Sequence, residues 1–485
     1  MKDILLFISD QHAWRQQGYA GDPVVRTPNL DRLAAEGTVM QNNYTSYPLC
    51  VPARMSMMSG RLASRCGVMS NMAALDSNCP TFAHCLDTAG YETVLCGRMH
   101  FVGGDQRHGF ARRIAGDITP IYQNRPATIK QERGVHDRTL QDAPSCLAAM
   151  GGGDSPTLAY DRYVVSRALE YLQQDHEKPQ FLCVGTYAPH YPYVAPRELY
   201  DYYHDRVAIP EASFHYPEHP ALAGKKARDM DPEVVRAARA AYYVMVEFED
   251  RQIGAVYEAF QAYLKRTGHE GVFVYVSDHG DQIGDRGYYG KNVFYEQSSH
   301  TPMVFVGDGI PRGRRLFGAT SLMDLGPTLC ELAGAPLPPA ADGRSLCPQL
   351  AGGEDDLERM VIAEVGGSMG RGAAGFSYGQ MVKCGRFKYI HYDGYDEADA
   401  LYDVDADPEE TTDLRDRHPQ LVARMRALLA EKCRPVDQIR AAAEQMRENL
   451  GILTRCDFDN TEERWRAPEC ARHAPEPMVK SRLCQ

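Results

Sequence analysis

The 485-residue chain has no apolar run near the roughly 20 residues that cross a bilayer. Its longest early run, residues 4–8, follows Lys2 and Asp3. It is too short for a secretory signal core, and no small-residue cleavage site follows it. These absences predict a cytoplasmic chain with no membrane partner. Positive charge is not in excess either: 53 Lys and Arg against 65 Asp and Glu give a formal charge of −12. A broad nucleic-acid or anionic-membrane surface needs a basic face, so those partners are excluded, whereas a locally basic pocket for an anionic substrate is not. The 14 cysteines form no Cys-x-x-Cys pair and no dense framework. That predicts reduced, mostly buried thiols rather than disulfides, zinc or dithiol chemistry. Tryptophan is limited to Trp14 and Trp465, and no internal repeat or low-complexity tract occurs.

What is present is ordinary globular composition, 44% hydrophobic and 24% charged. At roughly 150 residues per domain, the length allows about three domains, or one large α/β domain with a smaller partner. Continuous apolar runs at residues 4–9, 92–96, 181–187, 271–277 and 302–306 read as strands buried on both faces. Helical stretches at 29–36 and 232–265 alternate with them; the second carries Asp231 as N-cap candidate and Gly268 near its end. Such alternation predicts an α/β sandwich with a mostly parallel central sheet. Residues 334–355, rich in Pro, Gly and Ala, read as a linker. Beyond it, strands at 380–382 and 387–392 and a helix at 420–432 predict a small α+β domain with an antiparallel sheet. The expected organisation is a catalytic domain 1–355, a subdomain 356–435, and an extended tail 436–485 available for oligomer contacts.

Five groups of residues carry chemistry. Cys50-Val51-Pro52-Ala53-Arg54 opens a short apolar helix pattern, with Arg54 one turn after Cys50. Alone, Cys50 reads as a packed cysteine ahead of a helix with Pro in its first turn. Ser277-Asp278-His279-Gly280-Asp281 follows the 271–277 strand, and Asp10-Gln11 follows the first strand. Polar residues at the C-terminal ends of such strands lie where α/β sheets place their sites. Asp10, Gln11, Asp278 and His279 together offer three oxygen ligands and one nitrogen to a divalent cation; the oxygens favour Ca²⁺, and His279 keeps Mn²⁺ open. Gly97-Arg98-Met99-His100-Phe101 and Pro189-His190-Tyr191-Pro192-Tyr193 also follow strands, and Gly290-Lys291-Asn292 follows Gly284-Asp285-Arg286-Gly287. Singly, the acidic pairs read as turn or cap features, His100 and His190 as satisfied structural histidines, and Lys291 as a solvated charge; their joint order carries the signal.

The Cys-x-Pro-x-Arg frame resembles the type I sulfatase signature, in which the cysteine is oxidised to formylglycine, although that family usually has Ser where this chain has Ala53. The other fragments resemble the same family, with Arg98 where it usually has Lys and Asp10-Gln11 where many members have Asp-Asp. The stretches 42–54 and 99–110 are similar to the choline-sulfatase and phosphonate-monoesterase branch. The resemblance implies an alkaline-phosphatase-like α/β sandwich, one divalent metal, and a maturing partner: a formylglycine-generating or anaerobic sulfatase-maturing enzyme. It also implies a homo-oligomer. Chemically, a hydrated aldehyde has one hydroxyl to attack the sulfur of a sulfate ester and a second to eject sulfate. Arg54, Arg98 and Lys291 would neutralise the sulfuryl oxygens. His190 or Lys291 would protonate the leaving alcohol, and His100 would orient the hydroxyl or take its proton. The expected activity is hydrolysis of an organic sulfate monoester, with a phosphonate monoester or phosphodiester as the alternative substrate. Choline sulfate is not expected to be preferred. Tryptophan for a cation cage is scarce, and Arg125, Lys130, Arg133 and Arg138 suit a hydroxylated or anionic group such as a sulfated sugar.

Overall fold

In the computed structural model the described residues are 1–119, 147, 150–153, 155–222, 231–366, 377–453 and 455. Strand β1 (Asp3–Asp10) is buried along its whole length. Its side chains divide with the two-residue period of a strand: Ile4, Leu6 and Ile8 enter one core, Leu5 and Phe7 the other. The strands that follow are β2 (Thr38–Tyr44), β3 (Glu92–Gly97), β4 (Arg112–Ala115), β5 (Met150–Gly152), β6 (Gln180–Pro189), β7 (Tyr193–Ala195), β8 (Gly271–Ser277), β9 (Met303–Gly307) and β10 (Arg314–Ser321). Eight of them form one sheet in the order β10-β2-β9-β8-β1-β6-β3-β4. All its pairings are parallel except those of β9 with β2 and β8.

Helices cover both faces. Cys50–Ser59, Phe82–Thr88 and Leu325–Ala333 supply one core; Pro28–Glu36, Pro156–Leu172 and the 36-residue Pro232–Thr267 supply the other. The long helix starts on Asp231, whose side chain accepts from Glu233 N. It stops at Gly268, which adopts the left-handed φ of +73° that a helix C-terminus favours.

The five expected core strands are present, extended by a residue or more at most ends. β2 and β10 had no continuous apolar run to mark them. They are the outer strands at one side of the sheet, and polar residues such as Gln41, Asn42, Arg314 and Arg315 interrupt them.

A second sheet is antiparallel, β11 (Met360–Gly366), β12 (Tyr378–Cys384), β13 (Phe387–Tyr392) and β14 (Ala400–Asp403), in that order. Helix Pro419–Lys432 lays Val422, Met425 and Leu429 on Val382, Tyr389 and Leu401. Two expectations need correction. Residues 334–355 are not a bare linker: Leu346 and Leu350 are buried in the main core, and Cys347–Leu350 is helical. The tail does not begin extended at 436. Val436–Leu453 is a helix that buries Ile439 and Ala443, because its apolar positions recur at helical spacing. The remaining tail lies outside the described residues, apart from Arg455.

The two sheets are joined by buried charge. Lys388 Nζ lies 2.8 Å from Glu296 Oε1, 2.5 Å from Glu410 Oε1 and 2.8 Å from the Phe294 carbonyl. Tyr44 and His300 donate to the Glu296 carboxylate at 2.9 and 2.8 Å.

Candidate active site

Four adjacent parallel strands, β8, β1, β6 and β3, end on the same edge of the sheet, and each delivers site residues there. β1 ends in Asp10, β8 is followed by Asp278 and His279, β3 by Arg98 and His100, and β6 by His190. Close backbone approach makes this convergence possible: a Cβ on Gly185 would lie 1.8 Å from the Arg98 carbonyl oxygen, and one on Gly280 1.9 Å from that of Gln297. Gln11 and His100 sit at φ +72° and +60°, in the left-handed region that costs a non-glycine residue of order 1–3 kcal/mol and that clusters at functional sites.

Cys50 opens helix Cys50–Ser59 beside these strand ends. The N-cap Leu49 offers no side-chain acceptor, and Asn71 Oδ1 takes the Val51 N–H at 3.0 Å instead. Arg54, four residues on, falls on the same helix face as Cys50. The Arg54 guanidinium, fully buried, donates from Nε to Asp278 Oδ2 (2.8 Å), from Nη2 to Asp10 Oδ2 (3.0 Å) and from Nη1 to the Arg98 carbonyl (3.2 Å). Arg98 donates from Nε to the same Asp10 oxygen (2.6 Å) and from Nη2 to His100 Nδ1 (2.9 Å), with its guanidinium 4.7 Å above the Tyr187 ring. Burial alone would raise the Asp10 pKa, but the permanent charges of Arg98 and Arg54 outweigh it and hold the carboxylate well below its usual range.

Asp10 Oδ1, Asp278, Cys50 Sγ and His279 Nε2 face one another. Cys50 Sγ is 3.1 Å from His279 Nε2 and 3.7 Å from Asp10 Oδ1; His279 Nε2 is 3.9 Å from Asp10 Oδ1 and 3.7 Å from Asp278 Oδ2. One ligand atom from each residue lies within 4.8 Å of the others. The His279 Nδ1–H donates to the Gly280 carbonyl at 3.0 Å, so the lone pair is on Nε2, the nitrogen that faces the carboxylates. Two carboxylates and an imidazole with its lone pair turned inward fit a divalent cation. Gln11, the fourth expected ligand, is buried beside them. Its Nε2 donates to Asp281 Oδ2 and its Oε1 accepts from Lys291 Nζ.

Lys291 Nζ also donates to His190 Nε2 at 2.6 Å and lies 5.1 Å from the Tyr191 ring centre. The His190 Nδ1–H donates to the Tyr191 carbonyl at 2.7 Å, and His190 Nε2 is 4.0 Å from Asp10 Oδ1. Burial, aided by Lys291, lowers the His190 pKa well below its usual value; burial, aided by Arg98, does the same to His100. Burial and then Asp10 push the Cys50 thiol up to about 11. The structure thus brings Asp10, Gln11, Cys50, Arg54, Arg98, His100, His190, Asp278, His279 and Lys291 into one connected network.

Comparison with known families decides what the chain belongs to. The sulfatase family profile matches residues 2–335, and the profile of the N-sulphoglucosamine sulphohydrolase C-terminal region matches residues 284–434. The chain belongs to the sulfatase family. Members of this family hydrolyse sulfate esters. A choline-sulfatase of Rhizobium meliloti (strain 1021) is 35% identical over 413 residues, covering 80% of this chain and 78% of that protein. Among solved structures, a phosphonate monoester hydrolase of Agrobacterium radiobacter superposes with a TM-score of 0.70 at 23% identity, covering 91% of this chain and 96% of that one. A 2-O GAG sulfatase superposes at 0.68 and 21%, covering 99% and 98%. Both establish the alkaline-phosphatase-like fold.

Several supporting residues of the site were not singled out from sequence. Asp117 accepts the His100 N–H at 2.8 Å and the Met99 N–H at 3.2 Å, and holds the turn that carries His100. Asp161 accepts from Tyr187 N (2.6 Å) and Ala188 N (2.8 Å) at the end of β6. Asp281 accepts from the Gln11 side chain. Of these, only Asp281 had a signal, three residues beyond Asp278 in the same loop. Trp14 stacks face to face on His300 at 4.8 Å. Trp465, Arg125, Lys130, Arg133 and Arg138 lie outside the described residues. No helix among the described residues is long and apolar enough to cross a membrane, and the cysteines described are free thiols.

Proposed function

We propose that the chain hydrolyses an organic sulfate monoester through a formylglycine made from Cys50. The observation that carries this reading is the position of Cys50: its Sγ lies against His279 Nε2 and Asp10 Oδ1, and its thiol is pushed up to about 11. A thiol un-ionised at neutral pH is a weak nucleophile, so the encoded side chain is poorly suited to attack, and the Cys-x-Pro-x-Arg frame supplies the conversion. A hydrated aldehyde at position 50 would provide one hydroxyl to attack sulfur and a second to eject sulfate. Asp10, Asp278 and His279, with Gln11, would hold a divalent ion, Ca²⁺ or Mn²⁺, whose charge offsets that of the sulfuryl oxygens.

Hydrogen bonding divides the remaining roles. Neutral His190 keeps its proton on Nδ1, bound to the Tyr191 carbonyl, so the mobile proton beside the site is on Lys291 Nζ. Lys291 therefore protonates the leaving oxygen, with His190 holding it in place. His100 accepts from Arg98 at Nδ1 and so carries its proton on Nε2, as a donor that orients the nucleophile. Arg54 and Arg98 fix Asp10 and add positive charge for the anionic substrate. Cys50 is 1% exposed, so a maturing enzyme would act before the chain folds. This reading includes a cytoplasmic homo-oligomer; sedimentation checks the assembly.

Cys50→Ala is expected to abolish turnover of an aryl sulfate without unfolding the chain, and retention of most activity refutes the mechanism. An intact mass about 18 Da below the sequence mass reports the conversion; an unshifted mass favours a binding protein. A phosphonate monoester or phosphodiester hydrolysed faster than a sulfate monoester selects the alternative chemistry. For the alcohol part, the Tyr187 and Tyr191 rings beside the site have Arg98 and Lys291 at 4.7 and 5.1 Å. Their faces are engaged by the protein's own cations, which supports a hydroxylated alcohol such as a sugar over a quaternary ammonium. Choline sulfate is the second reading, favoured by the 35% identical choline-sulfatase. Comparison of kcat/KM across choline sulfate and a sugar-sulfate panel decides between them.

A further inference from the structure

We propose that Asp281 is a positioning residue that controls proton delivery by Lys291 through the amide of Gln11. The proposal rests on the sulfatase reading for its chemistry. Asp281 is fully buried in the loop between β8 and Lys291. Its Oδ1 accepts from Ile283 N at 2.9 Å and Gly290 N at 2.8 Å, which ties both ends of the loop to one carboxylate and sets the backbone next to Lys291. The Tyr193 hydroxyl bridges both oxygens at 3.0 and 2.9 Å. Oδ2 takes one more donor, the Gln11 side-chain N–H.

That last bond decides which way Gln11 points. With Nε2 bound to a carboxylate, Oε1 must face the other way, and there it accepts from Lys291 Nζ. The reverse amide would set an oxygen against the carboxylate and an N–H against the ammonium, and both contacts would be repulsive. The Gln11 backbone cannot swing to relieve them: its N–H is held by Asp278 Oδ1 at 3.0 Å and its carbonyl by the Tyr242 hydroxyl at 2.7 Å. Lys291 is therefore held between His190 Nε2 and an oxygen whose direction Asp281 sets.

The substitution Asp281→Asn is selective. An amide keeps the Oδ1 acceptor for Ile283, Gly290 and Tyr193, and puts an NH₂ only at the Oδ2 position. The Gln11 amide then turns over, and its own NH₂ meets Lys291. Mispositioning a proton donor matters most when the leaving oxygen is basic. In metal-loaded Asp281→Asn, kcat for phenyl sulfate is expected to fall by about tenfold or more, kcat for 4-nitrophenyl sulfate by less than about threefold, and KM for both to stay within about twofold. Because the effect passes through Gln11, adding Asp281→Asn to Gln11→Met should change kcat for phenyl sulfate by less than about twofold. Equal losses on the two esters, or additive losses in the double variant, overturn the proposal. Tyr193→Phe, which removes only one bridging hydroxyl, should give a smaller loss with the same ester dependence if Asp281→Asn does not fold; a loss indifferent to the ester overturns the proposal there too. A readout independent of turnover is acetylation of Lys291 by acetic anhydride, followed by mass spectrometry. Asp281→Asn should label several-fold faster than wild type, and unchanged labelling refutes the link. Failure of wild type to hydrolyse either ester defeats the sulfatase reading and leaves the labelling comparison to decide the Asp281 link by itself.

Discussion

Replacing Arg98 by Lys keeps the positive charge and is nevertheless expected to impair this enzyme. Arg98 uses its planar fork twice, from Nε to Asp10 Oδ2 at 2.6 Å and from Nη2 to His100 Nδ1 at 2.9 Å, while lying over Tyr187. A lysine ammonium is a single point of charge and reaches one of these two acceptors, not both. If it keeps Asp10, His100 loses the donor that holds its proton on Nε2. If it keeps His100, Asp10 loses one of two guanidinium bonds on the same oxygen. Burial is complete on both sides, so solvent does not replace the missing partner. A hydrogen bond to a charged group is worth about 1.5–3 kcal/mol. Where that loss falls on the transition state, at 1.36 kcal/mol per tenfold, kcat drops roughly 10- to 150-fold. The assay is kcat and KM on an aryl sulfate, with metal content measured on the same samples. Arg98→Lys within about twofold of wild type at full metal content would show that one charge suffices and that the fork is not used.

Metal analysis of Asp278→Ala is expected to find the ion lost, since the substitution removes an inward carboxylate and frees Arg54 Nε; unchanged occupancy contradicts the ligand assignment. Lys388→Met leaves Glu296 and Glu410 buried without their shared cation and should cost about 3–5 kcal/mol of stability, read as a lowered urea midpoint; a midpoint equal to wild type would show the junction to be dispensable. Burial raises the Asp161 pKa to about 7, so in the acid range the folded chain holds a proton there that the unfolded chain has released. Wild type should therefore gain stability relative to Asp161→Asn as pH falls from about 8 to about 5, and a pH-independent difference would contradict the assignment.

The strands that carry the site were legible because they are continuous apolar runs, and the polar residues at their C-terminal ends stood out against them. Asp10, Arg98, His190 and Asp278 were found this way. β2 and β10, broken by polar residues, were not, and neither was the helix Val436–Leu453, whose polar composition read as tail. Asp117 and Asp161 were illegible for a different reason. Each acts by accepting backbone N–H groups of another segment, and a buried carboxylate that caps a distant strand end looks, in sequence, like any acid in a loop or on a helix.

The order of residues by itself determined the doubly covered sheet, the helix that begins at Cys50 with Arg54 on the same face, and the set of acids, histidines and cations that could meet. Those follow from periodicity and from spacing along one element, which are local properties of the chain. Only the tertiary structure decided which nitrogen of His100, His190 and His279 keeps its proton, and that Gln11 and Asp281, 270 positions apart, share a hydrogen bond. Tautomers and amide directions depend on which donor or acceptor arrives from another element at hydrogen-bond distance. That distance is fixed by the packing of the whole sheet and is written in no single stretch of sequence.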